Sequence, residues 1–329
     1  MRGRRLSATA GGLLLVAVTL SLLAGCSESD NGTGQRSRPA PAAAEFPSAN
    51  GKSLRDVLSM ASGQGPVVSP AAREFYVGTN RFPFGVFDTS AGPITDAQVA
   101  IYAAPGRGLN GPAIGPFPAR IEDLTTRPSF RAKSTADDPS AAQVAYVTDI
   151  PLDKPGPWAF GALVKAGNSY RYSLLPSPDP VGDYPMPRVG QSPPAIHTLT
   201  ADQVSSISQI DTRVPPDDMH SDDFADVLGK KPAVVLFATP ALCQSRVCGP
   251  VTDVAEQVKS QFGDRVAFIH QEVYNNNRIN DGPRPQMDAF HLSTEPWCYV
   301  IDRNGKVSAV LQGPFSVQEL QAAVQKVAG

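Results

Sequence analysis

Residues 232–262 read PAVVLFATPALCQSRVCGPVTDVAEQVKSQF, and this stretch decides the fold of the C-terminal part of the chain. Ala233, Val234, Val235, Leu236 and Phe237 form an unbroken apolar run, the pattern of a strand buried on both faces of a parallel or mixed sheet. A loop holding Cys243 and Cys248 follows. Beyond it, Val251, Val254, Ala255, Val258 and Phe262 recur at helical spacing, with Thr252, Asp253, Glu256, Gln257 and Lys259 on the other face. The order is therefore strand, cysteine loop, helix. A helix start favours thiolate over thiol through its unpaired N–H groups and dipole, so position alone points to thiol chemistry. Five residues along one continuous helix separate Cα atoms by about 8 to 9 Å, beyond a disulfide's reach. A bonded pair would need Cys243 in the loop and Cys248 in the first turn.

This arrangement resembles the thioredoxin superfamily. With Cys248 aligned to the second cysteine of the family's CxxC motif, Val251, Val254, Ala255, Val258 and Phe262 fall on its buried helix positions. The resemblance then implies that Cys243 is the attacking cysteine and Cys248 the resolving one. The spacing departs from the family, CQSRVC being C-x4-C, and Leu242 stands where an aromatic is usual. A competing register places Cys248-Gly249-Pro250 on the family's CGP, with Val251 in place of the second cysteine. Downstream, residues 265–270 (RVAFIH) read as a second buried strand and 286–291 as a short helical piece. In STEPWCYVID, residues 293–302, Pro296 matches the family's cis proline, which packs against the cysteine loop and shapes substrate approach. Asp302-Arg303-Asn304-Gly305 is a hairpin signal, Asn-Gly supplying positive φ. Residues 307–311 form the return strand, and 316–327 a closing helix with Ser316 as N-cap and Glu319 as its box partner.

The chain opens with Arg2, Arg4 and Arg5, then an apolar stretch over residues 13–23, too short to span a membrane, ending Leu23-Ala24-Gly25-Cys26. The ending resembles a bacterial lipobox, which implies a signal peptide over residues 1–25, diacylation of Cys26 with fatty acids such as palmitate, and anchoring on the outer face of the cell membrane. Residues 26–65 read as a flexible tether rich in Ser, Gly, Pro and Ala. The formal net charge of −2 becomes more negative once the leader arginines are removed, so nothing cationic marks a nucleic-acid partner. Export leaves Cys243, Cys248 and Cys298 where disulfides persist, an odd number that suggests one pair and one leftover. Cys298 is expected as a buried small hydrophobe.

Over residues 66–178 the pattern becomes period two. Phe82, Phe84 and Val86 alternate, as do Val99, Ile101 and Ala103; Trp158, Phe160, Ala162 and Val164; and Tyr170, Tyr172 and Leu174. Turn clusters separate them, which argues for an antiparallel β-sandwich. GTNRFPFGVFD, ITDAQVAIYAA and LDKPGPWAFGALV resemble immunoglobulin-like domains of bacterial exported proteins. Residues 179–215 are Pro-rich and read as an extended linker or strap, and 216–329 as the thioredoxin-like domain. Residues 221–228 form a short helix capped by Ser221 or Asp222. The fold class is multidomain: an all-β immunoglobulin-like sandwich followed by an α/β domain with a mixed sheet flanked by helices.

His197, His220, His270 and His291 form no compact metal spacing. Were His291 to face the cysteines, Cys243, Cys248 and His291 would make the soft ligand set used by Sco-type copper proteins, although their motif is C-x3-C. Tyr274-Asn275-Asn276-Asn277 reads as a solvated loop. Three functions remain open: thiol–disulfide exchange with envelope or secreted proteins through Cys243 and Cys248, with Pro296 shaping approach and no cofactor; partner binding by a non-catalytic surface lipoprotein with a structural Cys243–Cys248 bridge; and copper handling.

Overall fold

The computed structural model describes Met1, Gly3 and residues 37–329; Cys26, the apolar leader and the first part of the tether lie outside the described residues. From Ser37 the chain is already packed. Arg38 bridges Ile121, and the five-residue helix α1 (Leu54–Leu58) is started by a Ser53/Asp56 capping box. With Phe46 and Ala49, its Leu54, Val57 and Leu58 are buried against Tyr102 and Leu163. The tether expected to reach residue 65 is therefore structured over 37–65, because its scattered apolar residues cover a sheet face that would otherwise be wet.

The strands β1 (Val67–Pro70), β2 (Gly78–Phe87), β3 (Val99–Pro105), β4 (Ile114–Pro118) and β5 (Arg120–Asp123) precede a short helix α2 (Lys133–Ala136). They are completed by β6 (Val144–Leu152), β7 (Trp158–Ala166) and β8 (Ser169–Leu174). Two four-stranded sheets result, β1-β2-β6-β5 and β4-β3-β7-β8, with every pairing antiparallel. The period-two alternation aims Phe82, Phe84 and Tyr146 from one sheet at Val99, Ile101 and Phe160 from the other, giving one shared core. Phe82 and Phe160 stack across it with ring centroids 5.1 Å apart.

Residues 179–215 run in mostly irregular backbone over both parts of the chain. Val181 pairs with Gly156, Gly190 donates to the Val307 carbonyl, and Met186 is buried beside Phe224 and Val235. Helix α3 (Phe224–Val227) is capped by Asp223, which accepts from the Ala225 amide, rather than by Ser221 or Asp222.

The C-terminal part contains β9 (Ala233–Phe237), α4 (Cys248–Phe262), β10 (Ala267–Gln271), α5 (Pro285–Ala289), β11 (Trp297–Ile301), β12 (Val307–Gln312) and α6 (Val317–Gln325). The sheet order is β10-β9-β11-β12, with β10 parallel to β9 and β11 antiparallel to both β9 and β12. This is the mixed sheet that the thioredoxin resemblance implies. Val234, Leu236, Phe268, Cys298 and Val300 face α4 and α6, while Ala233, Val235, Phe237 and Tyr299 face Phe290 and Met287. Both faces are covered, which explains the unbroken apolar run of β9.

Three local expectations need correction. Only Gly305 in the β11–β12 turn has positive φ, at 73°, and Asp302 Oδ1 accepts from the Asn304 and Lys306 amides to hold it. Ser316 does cap α6, but the Glu319 side chain turns away from the capping box to Arg81 and Arg120. On α4, Thr252 and Asp253 are buried rather than solvated, because Arg213 and the segment around Ala132 cover that flank. Among the described residues no helix is long and apolar enough to cross a membrane.

Candidate active site: a buried dithiol beside a carboxyl

β9 ends at Phe237 and hands the chain to a tight turn in which the Thr239 carbonyl accepts from the amides of Leu242 and Cys243, at 3.2 and 3.1 Å. Arg246 takes a φ of 59° before Val247 enters the helix, so the two extra residues of the C-x4-C loop are absorbed as turn. Cys243 lies in the loop and Cys248 is the first residue of α4, the placement a bondable pair requires. Both are free thiols; Cys243 keeps 5% exposure and Cys248 none.

Their environments separate their acidities. The Cys248 thiol hydrogen-bonds the Cys243 sulfur and, together with the Ser245 hydroxyl and the Cys248 and Val247 amides, outweighs burial and lowers the Cys243 pKa to about 5. Ser245 Oγ is 3.2 Å from that sulfur. Burial, and then the adjacent Cys243, push Cys248 well above an ordinary thiol. At neutral pH the arrangement holds one thiolate, at the more accessible sulfur, and one proton, at the inaccessible one.

The third member was not singled out by the sequence pattern. A carboxylate oxygen of Glu295 and the two sulfurs all lie within 4.8 Å of one another. Burial, then the charge of Cys243, raise Glu295 to about 7. The signal available in the sequence was an acid directly before Pro296, whose Glu295–Pro296 peptide is cis. Tyr274 is half-buried rather than solvated, and burial, Glu295 and both cysteines hold its phenol above the usual range. Its neighbours are ordered too: Asn277 donates to the Ser208 carbonyl at 2.8 Å.

His291 is not brought to the thiols. It is exposed at a φ of 57°, and the oxygen ligand beside the sulfurs comes from Glu295. Among the described residues the two-thiol and imidazole set is therefore not assembled, the third group beside the sulfurs being the Glu295 carboxylate. Cys298 is fully buried opposite Leu236, with its thiol pushed far up by burial, in keeping with a core residue.

The N-terminal part walls one side of the loop. Ala142 donates to the Arg246 carbonyl at 3.1 Å, Arg246 reaches Asp138 at 3.3 Å, and Thr135 lies so close to Gly249 that a Cβ there would meet its hydroxyl at 2.9 Å.

No protein-family model matches the chain, and no curated protein matches it. Solved structures do. One is a thiol:disulfide interchange protein of the thioredoxin family from Chlorobium tepidum TLS, 19% identical, with a TM-score of 0.28, covering 45% of this chain and 100% of that one. Another is DsbF of MTB in its mixed oxidised and reduced forms, 20% identical, with a TM-score of 0.27, covering 41% of this chain and 99% of that one.

Proposed function

We propose that this chain is a lipid-anchored, extracytoplasmic thiol–disulfide exchange protein whose attacking group is Cys243. The observation that carries this is the unequal placement of two neighbouring thiols: Cys243 in the loop with residual access and Ser245 Oγ 3.2 Å from its sulfur, and Cys248 fully buried at the start of α4. This placement lowers the pKa of the first thiol and raises that of the second. In the forward step the Cys243 thiolate attacks one sulfur of a partner disulfide. That S–S bond breaks, a Cys243–partner bond forms, and the partner's other sulfur leaves as thiolate. Cys248 then gives its proton to Glu295 and attacks the Cys243 sulfur, forming the Cys243–Cys248 disulfide and releasing the partner's second thiolate. Two electrons pass to the partner, and a thiol donor restores the dithiol. Stabilising the thiolate favours the reduced protein, so the pair sits toward the oxidising side and also runs in reverse, delivering disulfides.

The wall formed by Thr135, Asp138 and Ala142 supports a selective role for the N-terminal part, read as an immunoglobulin-like module that restricts which envelope or secreted proteins reach Cys243. Anchoring rests on the Leu23-Ala24-Gly25-Cys26 sequence, since two acyl chains hold firmly where one does not. A Cys26→Ala variant is expected to leave the membrane fraction; equal retention would remove the lipobox from the account.

The exchange reading is tested by capture. Cys248→Ser should accumulate a mixed disulfide on Cys243 when mixed with oxidised envelope proteins, and Cys243→Ser should accumulate none. Equal silence from both variants, with similar stability losses, would make the pair a structural bridge.

A further inference from the structure

The fold gathers what the sequence spacing kept apart. Asp211, Asp217, His220 and His270 are all buried, and one ligand atom from each lies within 4.8 Å of the other three. The first three come from the strap and the segment after it, and His270 from β10, where its amide donates to the Met219 carbonyl at 3.0 Å.

We propose that Asp211, Asp217, His220 and His270 form a structural site for a four-coordinate divalent ion of the zinc class. Two imidazole nitrogens and two carboxylate oxygens are a ligand set zinc accepts, at bond lengths near 2.1 Å, so that tetrahedral ligand atoms stand about 3.4 Å apart. His220 Nε2 lies 3.4 Å from Asp217 Oδ1 and 3.5 Å from Asp211 Oδ2. Neither approach is a hydrogen bond, and both ring nitrogens of His220 lack a hydrogen-bond partner among the described residues, although the side chain is only 2% exposed. A buried imidazole with no hydrogen bond at either nitrogen is costly, and a cation between its Nε2 and the two carboxylates removes that cost.

The other three ligands are held as metal ligands usually are. His270 Nε2 lies 3.1 Å from the Ala238 carbonyl, which can only accept, so Nε2 carries a proton, while Nδ1 hydrogen-bonds Asp217 Oδ2 at 2.8 Å and lies 4.0 Å from Asp211 Oδ1, so that an ion would take the place of the Nδ1 proton. Such a backbone anchor on the distal nitrogen fixes the tautomer of a ligating histidine. The Asp211 carboxylate accepts from the Arg213 and Asp217 amides at 2.7 Å each, and Asp217 Oδ1 from the Met219 amide at 2.9 Å. A proton on His270 would satisfy Asp217 but leave His220 unanswered; a divalent ion serves all four and balances both carboxylates.

The site lies beside the cysteine loop without including it. Ala238, which receives His270, directly precedes Thr239, which receives the Cys243 amide, and Thr212 Oγ1 accepts from the Ala241 amide at 3.1 Å. An ion here would fasten the strap to the end of β9 and so fix the start of the loop. This does not depend on what the thiols do.

The test uses the full-length chain with all four cysteines replaced by Ala, its native circular dichroism confirmed, so that no thiolate can bind metal. After incubation with zinc and desalting, it should retain one equivalent by elemental analysis. Cobalt(II) in its place should give tetrahedral d–d absorption without a sulfur charge-transfer band. His220→Gln, checked for native circular dichroism, should weaken zinc binding by more than the roughly 100-fold typical of losing an outer partner. Failure of the cysteine-free chain to retain zinc or to give the cobalt spectrum would overturn the site, as would unchanged affinity in a folded His220→Gln. If that variant does not fold, the cobalt spectrum of the cysteine-free chain decides alone.

Discussion

Arg81 of β2 donates two hydrogen bonds into the carboxylate of Glu319 on α6, at 2.8 and 2.7 Å, although they stand 238 positions apart in the sequence. Arg120 adds a third at 2.9 Å, and Ser316, the cap of α6, hydrogen-bonds Glu122 of β5. The sandwich and the α/β part are thus joined through a largely buried ionic cluster, in which removal of one partner strands the others.

Glu319→Ala should therefore cost about 3 to 5 kcal/mol of stability at neutral pH, measured by denaturant unfolding. Burial works to raise the Glu319 pKa, but Arg81 and Arg120 outweigh it and hold it below the ordinary value. The sign follows: this stabilisation is present above the unfolded pKa near 4.5 and is lost as pH falls through the lower folded one. Wild type should lose more stability than Glu319→Ala between neutral and strongly acid pH; parallel acid limbs would place the interface energy elsewhere.

Glu295 carries a pH signature of opposite sign. Raised to about 7 by burial and by Cys243, it contributes stability that is present below about pH 4.5 and is lost as pH rises through 7. Because Cys243 titrates near 5, alkylation of the reduced protein by iodoacetamide should rise around pH 5 and change again near pH 7 as Glu295 ionises beside the thiolate. Glu295→Gln should keep the first step and lose the second. A second step that survives the substitution would assign it to another group.

Much of this was legible in the sequence where one physical rule dominated. The apolar run 233–237, the helical spacing after Cys248 and the period-two strands each announced themselves, because burial of one face leaves a periodic trace. The loop position of Cys243 and the helix-start position of Cys248 followed from the reach of a disulfide. What was hidden depended on pairing across the chain. Asp253 looked like a solvated helix residue, and its partner Arg213, 2.9 Å away, lies 40 positions earlier in a segment that looked like a linker. Glu295 had no periodicity to betray it, and its proximity to the thiols comes from the turn at Pro296. His220 and His270 read as isolated because they stand 50 positions apart in the sequence, while the edge of the sheet brings their rings to 5.3 Å. Strands β4, β5 and β6 were missed where Pro and charged residues interrupt the alternation.

The most direct test of the exchange account is the equilibrium redox potential of the Cys243–Cys248 pair, read by thiol alkylation in defined glutathione and dithiothreitol buffers. A stabilised Cys243 thiolate predicts a potential more oxidising than thioredoxin, between about −270 and −120 mV. A value below about −300 mV, the range of structural disulfides, would contradict it.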